Sequence, residues 1–211
     1  MKFQSPMTKV LILSSMIFLL LGWTRDKTIQ ITPVHPIVPG SPLSTRSGVK
    51  IKFYNFLDSR QGMLDPYLIG KRKAAFGVSM GDVYSERPVF EIVTEAVKSE
   101  FMRNGYKIVQ ENEDFSVKGK IVQFWARTPV KMMGGCWDVV GEVNLTMEVS
   151  QPGQRITTTL GPYSGSKTER TFINPSPKII KRVLTGALMG AIQKMNVDPR
   201  LISELAKKPE H

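Results

Sequence analysis

Between Pro88 and Asn104 the apolar residues Phe90, Val93, Val97 and Phe101 recur at three- and four-residue steps, and Ile92 and Ala96 widen the stripe. Glu91, Glu95, Lys98, Glu100 and Arg103 fill the other side. Pro88 suits a first turn, where its missing N–H costs nothing, and Asn104-Gly105 tolerates the positive φ of a helix end. The spacing predicts an amphipathic helix, after which Tyr106, Ile108 and Val109 restart the chain as a strand. A helix with one apolar face needs a sheet to lie on.

The strands that supply it are read from alternation. Lys50 to Leu57 puts Ile51, Phe53 and Leu57 on one face, and Asp58-Ser59-Arg60 ends it in a turn. Leu68 to Lys73, with Lys71-Arg72-Lys73 at its end, and Ala74 to Ser79 read as a loop into a short strand. Phe115, Val117 and Ile121 alternate, then the phase shifts at Val122 and Phe124, which predicts a bulge or a long twisted strand. Trp137 to Ser150 has the cleanest pattern, with Val143, Leu145, Met147 and Val149 inward and Glu142, Asn144, Thr146 and Glu148 outward. Gln151-Pro152-Gly153 turns it back on Arg155 to Leu160. Ser176-Pro177 starts a second helix whose stripe is Ile180, Val183, Leu184, Ala187, Leu188, Ala191 and Met195, and Asp198-Pro199 opens a short last one. The expected fold class is α+β: a mostly antiparallel sheet of four to five strands with two main helices packed on one face.

Residues 1–23 read as a signal peptide or N-terminal membrane anchor. Lys2 and Lys9 precede Val10 to Trp23, a continuous apolar run of signal-peptide length, short for a membrane span. Residues 24–47 read as a proline-rich linker, because Pro33, Pro36, Pro39 and Pro42 recur every third position. Residues 48–208 are the expected single α+β domain. The predicted location is the bacterial periplasm, with attachment to the inner membrane through residues 10–23.

Charge changes the picture in one respect. With 29 basic and 18 acidic residues the formal balance is +11, and +9 once Lys2 and Lys9 go with residues 1–23. Such a balance favours an anionic partner. Lys50, Lys52, Phe53 and Tyr54 mix basic and aromatic residues as single-strand nucleic-acid binders do, but an export signal opposes that partner.

With the elements in place, several patterns gain weight together. They are Ile31-Thr32-Pro33-Val34, Asp58-Ser59-Arg60 closing a strand, Asn104-Gly105-Tyr106 closing a helix, the Val139–Val149 strand, and the Val183–Ile192 helix followed by Leu201-Ile202. In these the chain resembles the YajG family of bacterial envelope lipoproteins. The resemblance implies an α+β domain tethered in the periplasm and no catalytic residues. Leu20-Leu21-Gly22 stands where a lipobox has the three residues before its acylated cysteine, but Trp23 occupies the cysteine's place. Without a thiol, acyl transfer has no nucleophile.

Candidate chemistry is sparse. Gly161 to Thr168, GPYSGSKT, matches a phosphate-binding loop at Gly161, Lys167 and Thr168, but Ser166 replaces the second glycine and no helical stripe follows. His35 lies in the linker and His211 is at the end, so no histidine triad or metal site is formed, and Cys136 has no histidine partner. No catalytic residue, cofactor or metal is expected. The candidate interaction residues are Asp58, Arg60, Lys71, Arg72 and Lys73. The function expected is a non-enzymatic cell-envelope module binding an envelope protein or an anionic membrane surface. The alternatives are a basic nucleic-acid binder and an enzyme with a site near Asp58 and Arg60.

Overall fold

The computed structural model describes residues 26–32, 43, 48–73, 79–128, 136–153, 157–172 and 175–207. In chain order these form β1 (Lys27–Ile29), β2 (Lys50–Phe53), β3 (Leu57–Asp58), β4 (Leu68–Lys73) and β5 (Ser79–Ser85). Helix α1 (Val89–Arg103), β6 (Lys107–Ile108), β7 (Phe115–Arg127), β8 (Trp137–Ser150) and β9 (Thr157–Thr171) follow. Helices α2 (Pro177–Asn196) and α3 (Pro199–Ala206) complete the described chain.

All nine strands belong to one sheet built around β7. One edge of β7 pairs antiparallel with β8, and β8 pairs antiparallel with β9. The other edge takes β2, β3 and β4 in succession, all parallel to it. Beyond them β6 lies parallel to β2, β5 antiparallel to β4, and β1 parallel to β5. The expected mostly antiparallel sheet of four to five strands is therefore corrected to a mixed sheet of nine strands with three helices among the described residues. The reason is local. After β2 the chain does not reverse but runs on along β7 in three short pieces, and pieces of four, two and six residues are too brief to show an alternation. A parallel return to β7 is available because α1 supplies the crossover.

The long strands behave as their alternation predicts. On β8, Val139, Val143, Leu145, Met147 and Val149 are buried, and on β7 so are Phe115, Val117, Ile121, Phe124 and Ala126. The register shift between Ile121 and Gln123 is the bulge that the change of phase at Val122 announces. Two corrections concern single residues. Phe56, not Leu57, takes the inward position after β2, and its ring covers Gly119, where an added Cβ would stand 2.2 Å from it. Glu100, expected on the solvated side of α1, is buried, and its Oε1 accepts from Asn196 Nδ2 at 2.6 Å.

Helices α1 and α2 lie side by side on the inward face. Phe101 of α1 meets Phe53 edge-on with ring centres 5.1 Å apart. Against α2 the sheet offers glycine: a Cβ at Gly141 would lie 2.5 Å from Val183 O, and one at Gly165 would lie 1.8 Å from Ala187 O. The helix thus rests on strand backbone. Strand β1 and the fully buried Leu43 both come from the stretch expected as linker, and Tyr106 Oη donates to Leu43 O at 2.9 Å. The proline positions 33, 36, 39 and 42 lie outside the described residues, as does the apolar run 10–23. No helix among the described residues is long and apolar enough to cross a membrane.

Candidate functional site

The Asp58–Arg60 pair sits where the strand along β7 breaks between β3 and β4. Arg60 Nε donates to Asp58 Oδ1 at 2.8 Å and Nη2 to Oδ2 at 2.7 Å, a bidentate fork. Nη1 reaches Leu68 O at 2.6 Å and Phe124 O at 3.3 Å, while Nη2 also reaches Pro66 O at 3.3 Å. The guanidinium fills the gap in the ladder and satisfies carbonyls that no strand faces. So engaged, and buried, it has no donor aimed at a substrate. Of the other three sequence candidates, Arg72 is buried and donates to Met80 O at 2.7 Å, while Lys71 and Lys73 are exposed. The five positions do not converge on one point.

The strongest electrostatic perturbation is elsewhere. Tyr163, buried on β9, donates its hydroxyl to Asp198 Oδ2 at 3.0 Å. Burial, then the bond to Asp198, pushes the phenol well above its ordinary range. Burial alone would push the Asp198 carboxyl up. The hydrogen bonds from the Arg200 side chain and backbone and from Tyr163 outweigh it, so the carboxyl lies below its ordinary value. Asp198 caps α3 through Arg200 N at 2.9 Å, so this cluster fastens α3 to β9.

The phosphate-loop string lies within β9 and is paired with β8 from Tyr163 to Thr168, rather than in a strand-to-helix turn. Its backbone N–H groups therefore do not converge on an anion. Among the described residues no three His, Cys, Asp or Glu side chains stand close enough to share a metal ion. Cys136 is half-buried beside Trp137, and His35 and His211 lie outside the described residues.

What remains is the outer face of the sheet, which α1 and α2 leave uncovered. On it Lys52, Tyr54 and Leu57 from β2–β3 stand beside Lys118, Lys120, Val122 and Trp125 of β7, with Thr146, Glu148 and Glu142 of β8 behind. Two hollows follow β7 in line. One, of about 230 Å³, is lined by Tyr54, Asn55, Leu57, Lys118, Lys120 and Glu148. The other, of about 410 Å³, is lined by Gln61, Met63, Val122, Gln123 and Trp125 over Arg60. Leu57 is 59% exposed, Val122 43% and Tyr54 41%. Lys118 Nζ and Lys52 Nζ stand 5.0 and 5.6 Å from the Tyr54 ring centre, two cation–π contacts to the ring. Lys120 pairs with Glu148 at 3.2 Å, and Gln123 Nε2 donates to Glu142 at 2.7 Å.

Sequence reasoning missed this surface because it assigned Leu57 to the inward face. The available signal was Phe56-Leu57, two adjacent large apolar residues of which a strand can bury only one.

No protein-family model matches the chain, and no curated protein does. Solved structures do. A protein from Xanthomonas campestris, carried in the family DUF330, superposes with a TM-score of 0.58 at 6% identity, over 84% of this chain and 96% of that one. A minor lipoprotein from Acinetobacter baumannii follows at 0.40 and 11%, over 74% and 92%. A lipoprotein from Neisseria meningitidis gives 0.32 and 9%, over 64% and 91%. The first shares the fold of this chain, and at that identity the likeness concerns fold alone.

Proposed function

We propose that this chain is a non-enzymatic module of the bacterial envelope that seats a protein partner on the uncovered face of its sheet. The carrying observation is the pair of exposed aliphatic side chains, Leu57 and Val122, lining two hollows on the outer face that nothing in the described chain covers. Exposed large aliphatic side chains gathered at a concavity mark an interaction surface. The hollows hold the amides of Asn55, Gln61 and Gln123, which suit the backbone of a polypeptide better than a lipid headgroup. Lys52, Lys118 and Lys120 stand on the same face, and Lys71 and Lys73 add to the basic surface, so the partner segment is apolar with acidic flanks. The periplasmic placement rests on the apolar run 10–23 behind Lys2 and Lys9, and on the YajG-like patterns at 31–34, 58–60 and 104–106.

The test is recovery of the protein from envelopes of its native host, wild type against a Leu57→Glu, Val122→Glu pair. A co-purifying protein should fall at least tenfold with the pair and persist with Met102→Glu, an equally exposed site on α1. Equal recovery in all three would contradict the assignment.

A further inference from the structure

We propose that the free edge of β9 is a self-association seam, pairing antiparallel with β9 of a second copy about Thr168. Strand β9 has fifteen residues and pairs as a strand only with β8, while Arg200 Nη2 donates to Gly161 O at 3.4 Å, so from Tyr163 to Arg170 its far edge faces no strand among the described residues. From Tyr163 to Thr171 it keeps one unbroken register with β8, from Leu145 to Trp137. Such an edge is a template for another strand. A two-fold axis normal to the sheet pairs each residue with one on the same face, so the centre of the pair fixes every contact.

The residues along the edge choose the centre. Centring on Lys167, Glu169 or Arg170 sets like charges face to face. Centring anywhere from Tyr163 to Ser166 brings Pro162, which has no N–H, into the new ladder. Centring on Thr168 avoids both and sets Lys167 opposite Glu169 of the second copy, twice by symmetry. Arg170 is paired with Asp138 at 2.8 Å and Arg182 with Glu169 at 2.7 Å, whereas Lys167 makes no hydrogen bond or ion pair within 4 Å among the described residues and acts on Glu169 of its own strand through space. Its stem lies against Gly186 of α2, where an added Cβ would stand 3.0 Å from Lys167 Cγ. The same register carries Phe172, 76% exposed just past the strand, onto Ser164 of the second copy.

The seam is tested by oxidative cross-linking of the full chain in host membranes, with Cys136→Ser as background and single cysteines along β9. Thr168→Cys faces itself and should give a disulfide-linked homodimer, with Ser164→Cys and Ser166→Cys at least fivefold lower. Adding Lys167→Glu should reduce the Thr168→Cys dimer at least fivefold, and adding Glu169→Lys to that should restore it. The restored arm separates loss of the seam from loss of the fold. A flat profile, as association through residues 1–23 alone would give, overturns the proposal. So does a maximum at another position, or a cross-linked product with the mass of a different protein.

Discussion

Gly165→Ala is the most informative single substitution in the core. The new methyl would stand 1.8 Å from Ala187 O, 2.6 Å from Ala191 N and 2.9 Å from Ala187 C, all backbone of α2. No rotamer relieves a Cβ, so α2 must retreat by about 1 Å or more to reach a tolerable contact, and gaps of that size forfeit a quarter to a half of each van der Waals well. The loss falls on Ile180, Val183, Leu184, Ala187 and Leu188, which are buried and carry the packing of α2. Overpacking costs about 1–3 kcal/mol where side chains can shift. Against backbone the upper end applies, and we expect about 3 kcal/mol or more. For a chain of this size that lowers Tm by roughly 6–12 °C. Gly190, which faces Gly165 from the helix, is the control. Its added Cβ would meet Gly165 Cα at 3.6 Å, an ordinary contact, and Gly→Ala inside a helix gains about 0.5–1 kcal/mol. Urea unfolding followed by circular dichroism should place the two variants on opposite sides of wild type. Equal midpoints for wild type and Gly165→Ala would refute the direct seating of α2 on β9.

Four further outcomes follow from the same structure. Arg60→Met should cost about 3–5 kcal/mol in chemical denaturation, because it strands Asp58 and the carbonyls of Leu68 and Phe124. Arg182→Ala, which loses only a surface pair with Glu169, should cost under about 1 kcal/mol in the same assay. Asp198 has a carboxyl held below the ordinary 3.8, so its contribution is complete above that pH and is lost as pH falls through the folded value. Acid titration of stability should therefore show a drop below about pH 4 in wild type that Asp198→Asn lacks. Phe101→Asp should unfold the domain, whereas Glu95→Ala on the exposed side of α1 should shift stability by less than about 0.5 kcal/mol; equivalent thermal melts would contradict the assigned face.

Long periodic segments were legible and short ones were not. The stripe Val93, Val97 and Phe101 and the alternation Val143 to Val149 repeat often enough for their phase to survive local noise, and both fall where the pattern puts them. Strands β2, β3 and β4 offer no such repetition. Their parallel pairing with β7 depends on Arg60 bridging the break, a role that neighbouring residues do not announce. Glu100 looked like solvated charge because its partner Asn196 is 96 positions away. Leu57 was misplaced for a related reason, since one residue of slack after Phe53 moved Phe56 inward and turned Leu57 out. The surface proposed to bind a partner thus arises from that slip in phase and from the bulge at Val122. Both are departures from periodicity, which a periodic reading treats as noise.

The central claim is that the outer face is covered by another protein in the envelope and bare in isolation. Maleimide labelling of Leu57→Cys and Val122→Cys, in a Cys136→Ser background, tests it by comparing rates in intact envelopes with rates for the purified protein. The account predicts labelling at least fivefold slower in envelopes at both positions, while Met102→Cys on α1 labels at the same rate in both. Equal rates at Leu57→Cys and Val122→Cys in the two settings would contradict it.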